Sequence, residues 1–97
     1  MLAIINKGIE NVKVMNRPRL DGIQYIFRLE NGYGASVVRF SGSYGYEEGL
    51  WELAVIRFID DTMTNYNLDY DTDITPDTLG YLSEEDVAEV LKQIAEL

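Results

Sequence analysis

Ile23-Gln24-Tyr25-Ile26-Phe27-Arg28-Leu29-Glu30-Asn31-Gly32-Tyr33-Gly34-Ala35-Ser36-Val37-Val38-Arg39-Phe40 is the stretch from which the fold can be read. Ile23, Tyr25, Phe27 and Leu29 alternate with Gln24, Arg28 and Glu30, the two-residue period of a strand buried on one face. Asn31-Gly32 then interrupts the pattern, and an Asn-Gly pair readily supplies the positive φ angles of a hairpin turn. Ala35 to Phe40 should therefore return antiparallel to the first strand.

Outward from this hairpin, the glycine-bearing connection Ser41 to Gly49 leads into Leu50 to Ile59, which is apolar on both faces as a central strand requires. Asp60 to Asn65 turns the chain, and Tyr66 to Thr72 alternates again, which completes a four-stranded antiparallel meander. Beyond it the period becomes helical. Ser83 with Asp86 three residues later forms a capping-box pattern, Leu82 and Val87 are placed for a hydrophobic staple, and Val87, Val90, Leu91, Ile94 and Leu97 make one apolar stripe. Thr75-Pro76-Asp77-Thr78-Leu79-Gly80 between them reads as a single helical turn. Before the hairpin, Val12 and Val14 alternate with Lys13, and Pro18 disfavours helix, so residues 1–22 read as an N-terminal arm or a short strand ending in an Arg17-Pro18-Arg19 bend. The expectation is a single α+β domain over 1–97, with the sheet in 23–74 and a C-terminal helix in 83–97 that packs on it.

Ninety-seven residues with an apolar share of 46% suit one domain. The apolar opening Leu2-Ala3-Ile4-Ile5 is too short for a signal sequence or a spanning helix, so the reading is a cytoplasmic protein without membrane contact. The chain has neither Cys nor His, which removes disulfides, thiolate nucleophiles, cysteine-based zinc sites and imidazole acid–base catalysis. No glycine pattern matches a phosphate loop or a dinucleotide fingerprint, and no cofactor is expected. Asp69-Tyr70-Asp71-Thr72-Asp73 opens like a calcium loop, yet Ile74 stands where its turn glycine belongs and Gly80 where its bidentate glutamate belongs, so no metal site is assigned. Glu47 with Glu48 or Glu52 could be a paired-carboxylate site, but such chemistry needs a deep cleft that a small domain seldom builds, and the chain is read as a non-enzyme.

The net charge of -9 is unevenly placed. Residues 1–59 carry a net +1, and residues 60–97 a net -10. Such a surface repels phosphate backbones, which argues against direct nucleic-acid binding and favours a basic partner. On a strand, Asp69, Asp71 and Asp73 would share one face at about 6.8 Å spacing, and with Asp77, Glu84, Glu85, Asp86 and Glu89 they form the candidate partner-binding set. A second set, Tyr33, Tyr44 and Tyr46 with Arg28, Arg39 and Arg57, could take a small anionic ligand if the strand register brings the arginines to one face. Solubility accounts for the acidity, turn geometry for the glycines and ion pairing with Glu30 and Glu52 for the arginines equally well. The open edge of a meander also suits a strand-to-strand homodimer.

The runs Asn31-Gly32-Tyr33-Gly34-Ala35-Ser36-Val37-Val38-Arg39, Tyr44-Gly45, Gly49-Leu50-Trp51-Glu52-Leu53-Ala54-Val55, Asp71-Thr72-Asp73-Ile74-Thr75 and Gly80-Tyr81-Leu82 resemble a group of small, uncharacterised proteins of tailed bacteriophages and prophages. The resemblance spans roughly Ile23 to Leu97 and implies a phage origin, a bacterial host cytoplasm and no catalytic residues. Joined to the placement of charge, it suggests an acidic, DNA-mimic-like inhibitor of a basic host protein such as a nucleic-acid-binding or defence factor. The alternatives are sequestration of an anionic small molecule and a minor virion or assembly role.

Overall fold

In the computed structural model, which describes residues 9–97, the expected hairpin sits at the centre of a longer antiparallel succession. Strands β1 (Lys13–Arg19), β2 (Gly22–Arg28), β3 (Tyr33–Arg39), β4 (Trp51–Phe58) and β5 (Tyr66–Leu68) are hydrogen-bonded in sequence order, and β6 (Leu79–Leu82) pairs with β4. One α-helix, α1 (Glu84–Ala95), follows. The fold is α+β, with six strands among the described residues where the alternation suggested four. The reading made for Leu2 to Ile5 and the first part of the arm expected over 1–22 lie outside the described residues.

The segment expected to be an arm or a short strand is a full partner of β2, from Lys13 opposite Arg28 to Arg19 opposite Gly22. There is no bend at Pro18, which faces Ile23 on an edge strand, where a residue without an N–H is tolerated. Leu20-Asp21 turns the chain, with Leu20 at φ 52°, a left-handed conformation costly for a residue with a γ-branched side chain. The Asn31-Gly32 turn also differs from its expected form. Only Gly32 takes a positive φ, 84°, while the Gly32 N–H donates to the Leu29 carbonyl at 3.2 Å and the Leu29 N–H to the Tyr33 carbonyl at 2.9 Å. This is a three-residue loop closed by a left-handed glycine, in which Asn31 keeps an ordinary backbone. Its amide is then free to donate to the Ile94 carbonyl at 2.9 Å, so the turn satisfies the C-terminal end of α1.

The last strand departs most from expectation. Pairing covers only Tyr66–Leu68, and residues 69–78 leave the sheet before β6 resumes along the same edge of β4. Within the excursion the Asp71 N–H donates to Asp69 Oδ1 at 2.9 Å, the Ile74 N–H to Thr72 Oγ1 at 3.3 Å and the Asp77 N–H to Thr75 Oγ1 at 3.1 Å. These side chains take backbone donors that a ladder would otherwise use. Ile74, packed against the main core, anchors the loop. The helical turn expected over Thr75 to Gly80 is absent, because Leu79 to Leu82 pairs with β4 instead. Leu82 faces Trp51 and Leu79 faces Leu53, so β6 spends one more residue than β4 between these pairs. It is a β-bulge, and Tyr81 within it has φ 57°.

The sheet has two unlike faces. Phe27, Leu29, Ala35, Val37, Trp51, Leu53 and Val55 point to one, where Val87, Ala88, Leu91 and Ile94 of α1 close the core. The capping box forms as read: Ser83 Oγ accepts from the Asp86 N–H at 3.1 Å and Asp86 Oδ2 from the Ser83 N–H at 3.0 Å. Among the described residues the other face carries no helix.

Two substitutions test this backbone. Leu20 is 74% exposed, so Leu20→Gly removes little packing while relieving the left-handed conformation, and should raise unfolding stability by about 1 kcal/mol in urea titration. A fall instead would place Leu20 in a contact the fold needs. Gly34→Ala should cost more than about 2 kcal/mol, because its Cβ would sit 1.8 Å from the Phe27 carbonyl oxygen and 2.9 Å from the Phe58 ring.

Candidate functional site on the open face of the sheet

The face opposite α1 is built from alternate residues of five strands: Lys13, Met15, Arg17 and Arg19 on β1, Gln24, Ile26 and Arg28 on β2, Ser36 and Val38 on β3, Glu52, Ala54 and Ile56 on β4, and Tyr66 and Leu68 on β5. Four of these side chains are basic and only Glu52 is acidic, although the whole chain carries -9. Ile26, Val38, Ala54 and Ile56 are buried there, with no helix above them among the described residues. Among the described residues, local side chains pack on one another beside them. Phe58 and Tyr66 meet edge to face at 5.9 Å, and the Arg28 guanidinium lies 4.6 Å over the Phe58 ring.

Next to this cluster runs a groove of about 590 Å³ lined by Arg17, Arg19, Gln24, Phe40, Tyr66 and Tyr70, with Glu52 as its one carboxylate among the described residues. Its floor is a hydrogen-bonded relay. Buried Gln24 accepts at Oε1 from Arg17 Nε at 2.8 Å, and its amide nitrogen donates to Ser36 Oγ at 2.7 Å and to the Tyr66 hydroxyl at 3.4 Å. The relay leaves no buried polar side-chain atom without a partner among the described residues. It also pins Arg17 by one nitrogen and leaves the two terminal nitrogens of its guanidinium without a protein partner among the described residues. Arg19 lies 5.5 Å from the centre of the Phe40 ring. Among the described residues neither arginine has a carboxylate within ion-pair distance.

Arg28, Arg39 and Arg57 do not gather on one face. Arg28 belongs to the open face, whereas Arg39 and Arg57 stand on the helix face, at opposite ends of β3 and β4. Arg39 covers Trp51 at 4.2 Å and Arg57 approaches Tyr33 at 5.4 Å, so these two serve as lids on aromatic rings. Instead of Glu30 and Glu52, Arg28 engages the β4–β5 loop, donating to the Asp60 and Thr62 carbonyls and lying 4.0 Å from Asp61. Tyr33 is separated from Tyr44 and Tyr46 by the length of β3. Tyr44 and Tyr46 do share a hollow, but with Tyr81, Glu47 and Glu48 and no base lining it.

The acidic set disperses as well. Asp69, Asp71 and Asp73 lie in the excursion and form no strand row. Asp69 accepts from Asp71, Asp77 accepts the Thr78 N–H at 2.7 Å and Asp86 serves the helix cap. Asp71, Asp73, Glu85 and Glu89 are exposed, Glu89 with Lys92 at 3.9 Å, and Glu84 is half-buried. Among the described residues no three carboxylates converge closely enough to hold a metal ion, and no helix is long and apolar enough to cross a membrane.

Gln24, Ser36, Tyr66, Tyr70 and Tyr81 were not singled out by sequence reasoning, and Arg17 and Arg19 entered it only as a bend in a basic N-terminal segment, not as part of a ligand site. For the arginines a signal existed: Lys13, Met15, Arg17 and Arg19 keep the two-residue period, which is informative once the segment is known to be a strand.

The loop that Arg28 holds has its own pH limit. Hydrogen bonds from the Thr62 side chain, then the Asn65 side chain and the Thr62 N–H, with the nearby Arg28 charge, lower the Asp60 carboxyl from 3.8 to about 2. A carboxyl depressed by folding contributes stability that is present above its unfolded value and is lost as pH falls through the folded one. Carbon-detected NMR titration should therefore give Asp60 a midpoint of about 2, with the loop signals moving in the same step. A midpoint of about 4 would show these bonds unformed in solution. Comparison with protein-family models, with curated proteins and with solved structures finds no match to this chain.

Proposed function

We propose that this chain is a non-enzymatic binding protein that takes an anionic ligand on the open face of its sheet. One observation carries the reading: in a chain of charge -9, Arg17 and Arg19 line the groove with no carboxylate partner among the described residues. Guanidinium groups held in place by neighbours lose little freedom on binding, and their paired N–H groups match the oxygens of phosphate or carboxylate. The Gln24–Ser36–Tyr66 relay supplies that holding for Arg17, and Phe40 does so for Arg19. The groove also has the size of small-molecule sites. Arg17 and Arg19 replace Arg28, Arg39 and Arg57 as the residues that carry this reading.

Calorimetric titration with inorganic pyrophosphate and with citrate tests it. Arg17→Gln and Arg19→Gln should each weaken binding about tenfold, as the loss of a charge-assisted bond does. Arg57→Gln, on the helix face, should leave it unchanged. Full affinity in the double Arg17/Arg19 variant would overturn the proposal.

A second reading keeps the acidic surface as the dock for a basic host protein, consistent with a phage origin. It is favoured by Asp71, Asp73 and Glu85, which are exposed and have no cation in ion-pair reach among the described residues. That binding should weaken steeply with salt, and neutralising these three residues should abolish capture from host lysate while pyrophosphate binding persists. Capture unaffected by salt would exclude it.

A further inference from the structure

The hollow beside β6 has a chemistry opposite to that of the groove. Tyr44, Tyr46 and Tyr81 are 60%, 40% and 58% exposed, and together with Glu47 and Glu48 they line a concavity of about 390 Å³ that no Lys or Arg among the described residues enters. Three tyrosines that wet, so close together, are unusual for residues whose rings are better covered.

Several features of the backbone hold them there. The bulge in β6 redirects Tyr81, at the cost of a left-handed φ of 57° that aromatic residues rarely adopt. Gly80 lets the Tyr44 side chain lie against β6, since a Cβ there would come within 2.5 Å of Tyr44 Cβ. Gly45, at φ 93°, brings the loop against Tyr81, where a Cβ would sit 3.0 Å from the Tyr81 Cα. The Tyr44 N–H donates to Glu52 Oε1 at 3.4 Å, and the Tyr81 N–H points to the Tyr44 carbonyl at the same distance. Glycine or asparagine would occupy position 81 without strain, so the tyrosine is explained by its ring and not by the turn.

We propose that this hollow is a docking site for an extended, proline-containing segment of a partner protein that carries arginine or lysine. Exposed tyrosine rings on a held backbone receive proline rings and cations, their hydroxyls can donate to the carbonyls of an extended segment that has no internal hydrogen bonds, and Glu47 and Glu48 select positive charge. Charge complementarity excludes the anionic ligand of the groove from this hollow. The site is independent of Arg17 and Arg19.

The test is an NMR titration of the full chain with a ten-residue peptide of alternating proline and arginine, beside peptides of alternating proline and glutamine and of alternating glycine and arginine. Saturable shifts should appear at Tyr44, Gly45, Tyr46, Gly80 and Tyr81. Tyr44→Ala and Tyr81→Asn should each weaken binding by about tenfold, the loss typical of an aromatic anchor, and Tyr81→Asn should melt at an equal or higher temperature because it suits the left-handed backbone. Glu47→Gln with Glu48→Gln should lower affinity for the proline–arginine peptide several-fold and leave the proline–glutamine peptide unaffected. Arg17→Gln should change nothing. The inference falls if Tyr81→Asn binds as well as the parent, if the glycine–arginine peptide binds equally well, or if no saturation occurs. It also falls if the free chain shows concentration-dependent shifts at these tyrosines, since the occupant would then be a second copy.

Discussion

A sheet has two faces, and among the described residues one α-helix packs on it, against a single face. That inequality organises the rest of the molecule. The twelve residues of α1 bury Val87, Ala88, Leu91 and Ile94 against the aliphatic and aromatic side chains of β2, β3 and β4, so the apolar stripe of the helix is satisfied on a single face. On the opposite face Ile26 and Ile56 are buried too, and among the described residues the groups beside them come from the strands and loops of the sheet itself. There Phe58, Tyr66 and Arg28 pack together, and Arg28 holds the β4–β5 loop through its carbonyl acceptors. Where that cluster ends, the groove begins, and the polar residues of its floor remain because they are bonded to one another.

The same inequality separates the charges. Bases that would otherwise face solvent at random collect on the uncovered strands, because β1 alone places Lys13, Arg17 and Arg19 there. Acids gather in segments outside the ladder, where the carboxylates of Asp60, Asp69 and Asp77 accept backbone N–H groups of turns. Two arginines on the helix face are neutral in this division, since Arg39 and Arg57 lie over Trp51 and Tyr33. The result is a molecule that is acidic overall and basic in one groove. The hollow of Tyr44, Tyr46 and Tyr81 makes a third environment, aromatic and acidic, set by a bulge.

Much of the fold was legible in the amino-acid order because its signals are local. The alternation of Ile23 to Leu29 and the apolar run at Leu50 to Ile59 mark strands whose neighbours are close in sequence, and Ser83 with Asp86 forms its cap within one turn. The end of β5 was not legible. Asp69, Asp71 and Asp73 alternate as a strand would, but Asp69 and Thr72 bond to the backbone two residues on, and burial of Ile74 draws the chain away from β4. Nor was β6, since Thr75 and Pro76 imitate a helix start and only the open edge of β4 makes Leu79 to Leu82 a strand. Of the candidate sites, Tyr44 and Tyr46 stayed together, while Arg28, Arg39 and Arg57 were parted by register.

The sequence by itself determined the class of fold, the order of its main strands, the capped helix and the excess of carboxylates after Asp60, because periodicity, capping and composition are properties of neighbouring residues. Which side chains meet was decided only by the tertiary structure. A shift of one residue in register moves every side chain to the other face, so the pairing of Arg17 with Gln24 and the separation of Arg28 from Arg39 depend on alignments between strands. The extra residue that turns Tyr81 toward Tyr44 likewise exists only where β6 meets β4.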